Sequence, residues 1–308
     1  MSAVQFQLLT DRSLIRVGGP DAEKFLQGLI TMDMDELKRR DRIFGALLSP
    51  QGKVQFDFYV MHAGDNIWID VAQANAAAFV KRLSMYKLRS NVEIEDISAF
   101  HSIAFTRNRG GEFFKSMKTR APDLFLFFVA DPWTNGPIAG QDISRCYFVA
   151  PPQEVIKVLD ALGNVAPIPD YDAYRISLGI PEGGKDYAFG EVFPHEAMFD
   201  QLNGVSFTKG CYVGQEIVAR MQHRGTARSR FLMVTADAPL PQRATEVLAG
   251  ETPIGAMGSS AKTKGLALVR LDRLADAYAA GKPVTTGGVP ITLAKPPYAT
   301  FAVPEPKI

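Results

Sequence analysis

Apolar residues along the chain recur with two different periods. Between positions 21 and 30, Ala22, Phe25, Leu26, Leu29 and Ile30 fall on one face at helical spacing, with Pro20 and Asp21 suited to the first turn. Period-two alternation predicts strands at 5–9 and 14–17, read as a hairpin around the polar turn Thr10-Asp11-Arg12-Ser13. It also predicts strands at 43–48 and 54–62 around Ser49-Pro50-Gln51-Gly52. In the second of these, Val54, Phe56, Phe58 and Val60 share one face and Gln55, Asp57 and Tyr59 the other. Asp57 is thereby presented beside an amide and a phenol, away from the apolar sheet face. Further strands are expected at 66–71, 91–97, 101–106, 124–129 and 145–149. Helices are expected at 74–88, with Phe79, Val80 and Leu83 inward, near 111–118, and at 152–162, with Val155, Ile156, Leu159 and Leu162 inward.

This order lacks regular βαβ alternation, so the fold class expected is α+β. A Gly/Pro-rich stretch covers 180–190. From Arg230 the pattern changes to short strands at 231–236, 253–258, 265–271 and 289–294, with a helix at 272–280, which reads as a compact β-barrel. The division expected is residues 1–229, two interleaved α+β subdomains, and residues 230–308, the barrel. A length of 308 residues suits about two domains.

Composition narrows the classes. Hydrophobic residues at 46% and charged residues at 22% are those of a globular chain and exclude disorder and collagen. Lys and Arg number 34 against 33 Asp and Glu, so no global field advertises nucleic acid or an anionic membrane. The longest apolar run, 124–130, is far short of the ~20 residues of a spanning helix. The first residues, MSAVQFQLLTDR, resemble neither a signal peptide nor an Arg-rich presequence, and the compartment expected is the cytoplasm. Two cysteines, Cys146 and Cys211, cannot build a disulfide scaffold or supply the four thiolates that usually hold an iron–sulfur cluster. The Gly-Lys pairs lack the following Ser or Thr of a P-loop, no G-x-S-x-G occurs, and the four histidines show no metal-ligand spacing.

Residues 203–230, NGVSFTKGCYVGQEIVARMQHRGTARSR, stand out. Lys209, Arg220, Arg224, Arg228 and Arg230 oppose only Glu216, an anion-facing pattern in a nearly neutral chain. Gly210 and Gly214 permit a sharp turn around Cys211, just before a helix expected from Gln215. A nearby cation and a helix N-terminus both favour a thiolate. The alternative reading is a buried cysteine in a tight turn, with solvated arginines around it. Cys146, in the run Cys146-Tyr147-Phe148-Val149, reads as core.

The run Lys209-Gly210-Cys211-Tyr212-Val213-Gly214-Gln215-Glu216 resembles the K-G-C-Y-x-G-Q-E signature of the YgfZ family. That family is the folate-binding, iron–sulfur-assembly branch of the aminomethyltransferase (glycine-cleavage T protein) superfamily, with bacterial and mitochondrial members. GPDAEKFLQGLIT, LLSPQGKVQFDFYV and SLGIPEGG are similar to further family segments. The resemblance implies a multi-lobed arrangement around a central cavity for tetrahydrofolate, closed by a small C-terminal barrel. It implies a role in maturing [4Fe-4S] proteins, tRNA-modifying enzymes among them, with iron–sulfur scaffold or carrier proteins and client enzymes as partners. It gives Cys211 the place of the family cysteine.

The folate site carries over less directly. The T-protein glutamate of an R-x-E-x-G setting corresponds to Ser177, and of two strand carboxylates only Asp57 is kept. Of the two aromatics of the bacterial branch, Tyr171 matches one and Arg12 stands at the other. The folate contacts expected are Asp57 and Tyr171 for the pterin, and Arg220 or Arg224 for the glutamyl carboxylate. No stably bound metal is expected.

Two functions follow from the resemblance: an assembly factor acting through Cys211, and an aminomethyltransferase moving a one-carbon unit to tetrahydrofolate. The signature and Ser177 favour the first, while the retained Asp57 keeps the second in view and leaves enzymatic activity open. An RNA-binding reading of the arginines lacks the interleaved aromatics that single-strand binding uses, and neither membrane nor direct nucleic-acid partners are expected.

Overall fold

A computed structural model of the chain describes residues 4–107, 119, 127–130, 143–162, 165–167, 171–225 and 227–306. The chain divides into two compact units. One comprises Met1–Ala46, Phe56–Tyr171 and Thr208–Tyr212; the other comprises Leu47–Gln55, Asp172–Phe207 and Val213–Ile308.

The first unit is built on two five-stranded sheets. One has the order β3 (Arg42–Leu48), β4 (Val54–Ala63), β5 (Asn66–Ala72), β2 (Arg12–Gly18) and β6 (Glu93–Asp96). The other runs β10 (Val165–Pro167), β1 (Val4–Leu8), β7 (Ser102–Arg107), β9 (Ile143–Phe148) and β8 (Phe127–Ala130). The 5–9/14–17 hairpin therefore does not form. β1 pairs antiparallel with β7 and parallel with β10, whereas β2 pairs with β5 and β6. At the joint, Leu9 N donates to Ile103 O at 2.8 Å. Alternation identifies each strand, but a polar turn does not say whether the next strand returns to its neighbour or enters another sheet. The helix expected near 111–118 lies outside the described residues, as does 124–126.

Helix α1 (Ala22–Gln27) is shorter than the apolar stripe that predicts it, yet Leu29 and Ile30 remain buried beyond its end. α2 (Ala76–Lys87) buries Phe79 and Leu83, with Val80 only half-buried. In α3 (Pro152–Leu162) Val155 is buried but Ile156, expected inward, is exposed, because adjacent helical positions diverge by about 100°. The side chains of Leu159 and Leu162 are outside the described set.

A polar cluster lies inside the first unit. Asp70 on β5 is fully buried. Its Oδ1 accepts from Arg12 Nε at 2.6 Å, and its Oδ2 from Arg145 Nη1 at 2.8 Å and Tyr147 OH at 3.0 Å. Arg42 Nη1 donates to Tyr147 OH at 2.9 Å. The Arg145, Arg42 and Arg12 guanidinium carbons lie 4.3, 4.6 and 5.7 Å from the Tyr59 ring centroid. Three buried cations thus surround one carboxylate and one electron-rich ring, and cation–π attraction offsets part of the excess charge. Arg12, expected in a turn, instead opens β2 and is buried.

The second unit contains a seven-stranded sheet in the order β16 (Val289–Pro290), β15 (Val284–Thr286), β12 (Glu246–Ala249), β13 (Thr252–Ala261), β14 (Lys264–Arg270), β11 (Ser229–Thr235) and β17 (Thr292–Ala294). The two edge strands are separated in sequence by Ile291 alone, so the sheet curls round into a nearly closed barrel. Its interior holds Leu232, Val234, Val247, Ile254, Met257 and Val269, against helix α6 (Leu271–Ala279). Strands β12 and β15 have no counterpart in the expected elements; both are short.

Arg175, on α4 (Tyr171–Ser177), fastens this unit internally. It donates to Asp172 Oδ1 at 2.6 Å, to Asp186 Oδ2, to Ile180 O at 3.1 Å and to Ser259 Oγ on β13 at 2.6 Å.

Asp70→Asn is expected to lower unfolding free energy by about 3–5 kcal/mol, because it leaves buried guanidiniums without their counter-charge; urea titration reads this. Burial alone would raise the Asp70 pKa, but Arg12, Arg145 and Arg42 outweigh it and hold the carboxyl below the usual range. The unfolded carboxyl titrates near ~3.9. The stabilisation is therefore complete above about pH 4 and lost as pH falls toward the lower folded value. The variant's advantage-free acid limb should be shallower than that of the wild type.

Candidate functional site

The signature loop is anchored by its lysine. Lys209 is buried, and its Nζ donates to Gln27 O at 2.7 Å, Ile30 O at 2.9 Å and Met32 O at 2.7 Å. These carbonyls lie at and just beyond the end of α1, where no helical N–H remains to pair with them. An ammonium has three protons, and here each meets an acceptor. Burial pushes the Lys209 pKa down to about 8. The same Nζ lies 5.3 Å from the centroid of the Tyr212 ring, which is itself buried, its phenol pushed up to about 12 by desolvation. Between these two inward residues Cys211 is exposed. The tight-turn reading with a buried cysteine is thus corrected. Cys146, between Arg145 and Tyr147 on β9, is buried, and burial pushes its thiol up.

The second half of the signature belongs to the other unit. Gly214 has φ +80°, in the left-handed region, and a Cβ there would lie 2.5 Å from Ser49 O and 3.1 Å from Gly52 Cα. This close approach to the Ser49–Gly52 turn requires glycine. A Cβ at Gly210 would meet nothing within 4 Å, and nothing in the structure explains glycine there. Gln215 opens helix α5 (Gln215–Arg224), on which Glu216 pairs with Arg220 at 2.8 Å, both exposed. Arg230 is buried against Asp200 in a two-pronged pair at 2.7 and 2.9 Å. Of the five cations in 203–230, Lys209, Arg220 and Arg230 are therefore engaged. Arg224 and Arg228 are exposed and have no carboxylate partner among the described residues.

Of the expected folate contacts, Asp57 and Tyr171 belong to the first unit, Arg220 and Arg224 to the second. Asp57 is buried, so the face of β4 that carries it is covered rather than open to water. It shares that face with Tyr59, which sits among the three arginines. Tyr171 is buried in the same cluster: its hydroxyl accepts from Arg145 Nη2 at 2.6 Å and its ring packs on Phe105 at 5.0 Å. Ser177, expected at the T-protein glutamate's place, donates back to Tyr174 O at 2.7 Å, closing its own helix end. Sequence reading passed over Asp70, Arg42 and Arg145. The signal was present in NIWIDVA and ISRCYF, where one charge stands inside an apolar strand and so demands a buried partner.

With this geometry in view, the class can be stated. The chain shares the fold of the glycine cleavage system aminomethyltransferase T from Bartonella henselae, with a TM-score of 0.74 over 97% of this chain and 87% of that one, at 15% identity. Residues 228–301 match the family described as CAF17, C-terminal beta-barrel domain. In sequence the chain is similar to iron-sulfur cluster assembly factor IBA57 proteins. The homolog from Neurospora crassa is 32% identical over 249 residues, 73% of this chain and 52% of that protein. That from Mus musculus is 30% identical over 247 residues, 76% of this chain and 66% of that protein. That from Homo sapiens is 27% identical over 287 residues, 86% and 77% of the two chains. The chain thus spans between about half and two thirds of the length of the Neurospora and mouse relatives.

These relatives refine the resemblance to YgfZ, a related family, toward the IBA57 type. They also overturn the cytoplasmic expectation, since each of them is named as mitochondrial. An N-terminus without leader-like composition does not specify a compartment.

Lys209→Ala is expected to leave three carbonyls without a donor and to cost about 2–4 kcal/mol of stability. Urea unfolding of the variant beside the wild type checks it; a change within ~0.5 kcal/mol would show that the anchor is dispensable.

Proposed function

We propose that this protein is an iron–sulfur cluster assembly factor of the mitochondrion, the role and place that the names of its relatives give for them, and that it acts through Cys211 with scaffold, carrier and client proteins. The observation that carries the reading is the signature loop: an exposed thiol set between two inward-facing residues, one of them fixed to three carbonyls. That is a rigid mount for a solvent-facing sulfur. Cys146 is buried, so one thiol per chain faces outward, while a cluster normally takes about four protein ligands. Cys211 therefore serves as one ligand or one thiol step, with the remaining ligands supplied by a partner or a small thiol. The clients proposed are [4Fe-4S] enzymes, tRNA-modifying enzymes among them.

Tetrahydrofolate is proposed as the ligand. The residues fit it in chemical type. Asp57 offers a buried carboxylate able to accept pterin N–H groups with charge assistance. Tyr171 is the aromatic of that surrounding, and Arg220 and Arg224 carry the charge suited to glutamyl carboxylates. Ser177 does not take the T-protein glutamate's part, because its hydroxyl is bonded within its own helix. That absence weighs against the aminomethyltransferase alternative, in which the pterin must be held while a one-carbon unit is transferred.

In cells lacking the native gene, a copy with Cys211→Ser is expected to leave [4Fe-4S] enzyme activity reduced at least roughly tenfold. An exposed side chain makes little contribution to folding, so unfolding should shift by less than ~0.5 kcal/mol. Wild-type client activity with the Ser variant would overturn the role of Cys211. Separately, calorimetric titration with tetrahydrofolate should give saturable heat that weakens at least roughly tenfold in Asp57→Asn, about 1.4 kcal/mol. An absence of heat at millimolar folate would remove the ligand while leaving the assembly reading standing.

A further inference from the structure

Helix α2 and the turn that follows it carry a surface that neither the signature loop nor the folate reading uses. A groove of about 810 Å³ is lined by Lys24, Phe25 and Leu29 on one side and by Tyr86, Leu88 and Arg89 on the other. Leu88 is 89% exposed, and Met85, one turn earlier on α2, is 64% exposed. Leu88 also has φ +43° and ψ −106°, a backbone conformation that a branched side chain rarely adopts. The fold thus holds a leucine in water on strained backbone, and such strain collects where a surface grips a ligand.

The charge on α2 and the turn that follows it has one sign. Residues 76–90 contain Lys81, Arg82, Lys87 and Arg89 and no Asp or Glu. Lys81, Lys87 and Arg89 are exposed, and among the described residues none of the four has a carboxylate partner. One acid, Asp21, also lines the groove and accepts from Asn91 N at 2.7 Å; against it the lining carries Lys24 and Arg89, and Glu23 lies 3.5 Å from His62 Nε2. Apolar anchors beside a concave groove, ringed by unpartnered cations, complement a segment with large apolar residues on one face and carboxylates beside them. The concavity favours such a peptide over a lipid surface, which meets a convex or flat face.

We infer that this groove docks an acidic amphipathic helix of a protein partner, its apolar residues entering beside Leu88 and Phe25 and its carboxylates meeting Lys87 and Arg89. Leu29 lines the groove, and the carbonyls of Gln27 and Ile30 in the same stretch accept from Lys209, two residues before the thiol. A partner seated here lies on the segment that carries the signature loop. The inference concerns peptide binding and does not rest on cluster assembly.

The test is a fluorescence anisotropy titration of the full chain with a labelled acidic amphipathic peptide of about 18 residues, Leu on one helical face and Glu on its flanks. A scrambled peptide of the same composition serves as control. The ordered peptide should bind at least roughly tenfold tighter than the scrambled one. Leu88→Gly suits the backbone conformation and removes the anchor; it should weaken binding at least roughly fivefold with an unchanged or higher unfolding midpoint. The charge reversal Lys87→Glu with Arg89→Glu should weaken it at least roughly tenfold, and added salt should weaken wild-type binding. Equal affinity in both variants, equal affinity for the scrambled peptide, or no binding at all would overturn the inference. So would tighter binding to phosphatidylserine-containing vesicles than to the peptide, which would assign the surface to a membrane.

Discussion

Within the first unit, the two sheets depend on one carboxylate. Asp70 on β5 takes hydrogen bonds from Arg12 in its own sheet and from Arg145 and Tyr147 on β9 of the other. A buried ion of this kind is costly to desolvate and is tolerated only when its lone pairs are filled. Here they are filled from both sheets at once, so the interaction specifies how the sheets meet as well as contributing to stability. The requirement propagates outward. Tyr59 is held among the guanidiniums, Tyr171 receives Arg145, and Asp57 occupies the same covered face of β4.

A second constraint of the same kind operates at the signature loop. A helix end leaves carbonyls without donors, and Lys209 brings three protons to three of them. The lysine is thereby a structural residue of a functional motif. It fixes the loop so that Tyr212 turns inward and Cys211 outward. Gly214 meets a different demand, the close approach of the Ser49–Gly52 turn on a left-handed backbone. The eight-residue signature therefore combines anchoring and turning with an exposed cysteine.

The sharing of a fold with an aminomethyltransferase, and of sequence with assembly factors, is consistent with function residing in sites rather than in architecture. Ser177, which the resemblance sets at the T-protein glutamate's position, has its hydroxyl bonded within its own helix. Lys209, two residues before the exposed thiol, is bonded to the stretch at the end of α1, whose Leu29 lines a groove beside α2.

The sequence by itself determined most of the strands, the helices with strong 3.6 periodicity and the C-terminal barrel, because period and turn chemistry are local. It also set apart Cys211 from Cys146, since a cysteine among glycines and polar residues differs from one in an apolar strand. Only the tertiary structure decided that β1 and β2 enter different sheets, because pairing depends on which distant strand offers a free edge. Only it decided what the charges do. Lys209, Arg220 and Arg230 read in sequence as one cationic patch, yet they end on carbonyls, on Glu216 and on Asp200. Asp70, Arg42 and Arg145 are isolated charges far apart in the chain, and their partnership exists only once two sheets bring them together in a medium where an unpaired charge is not tolerated.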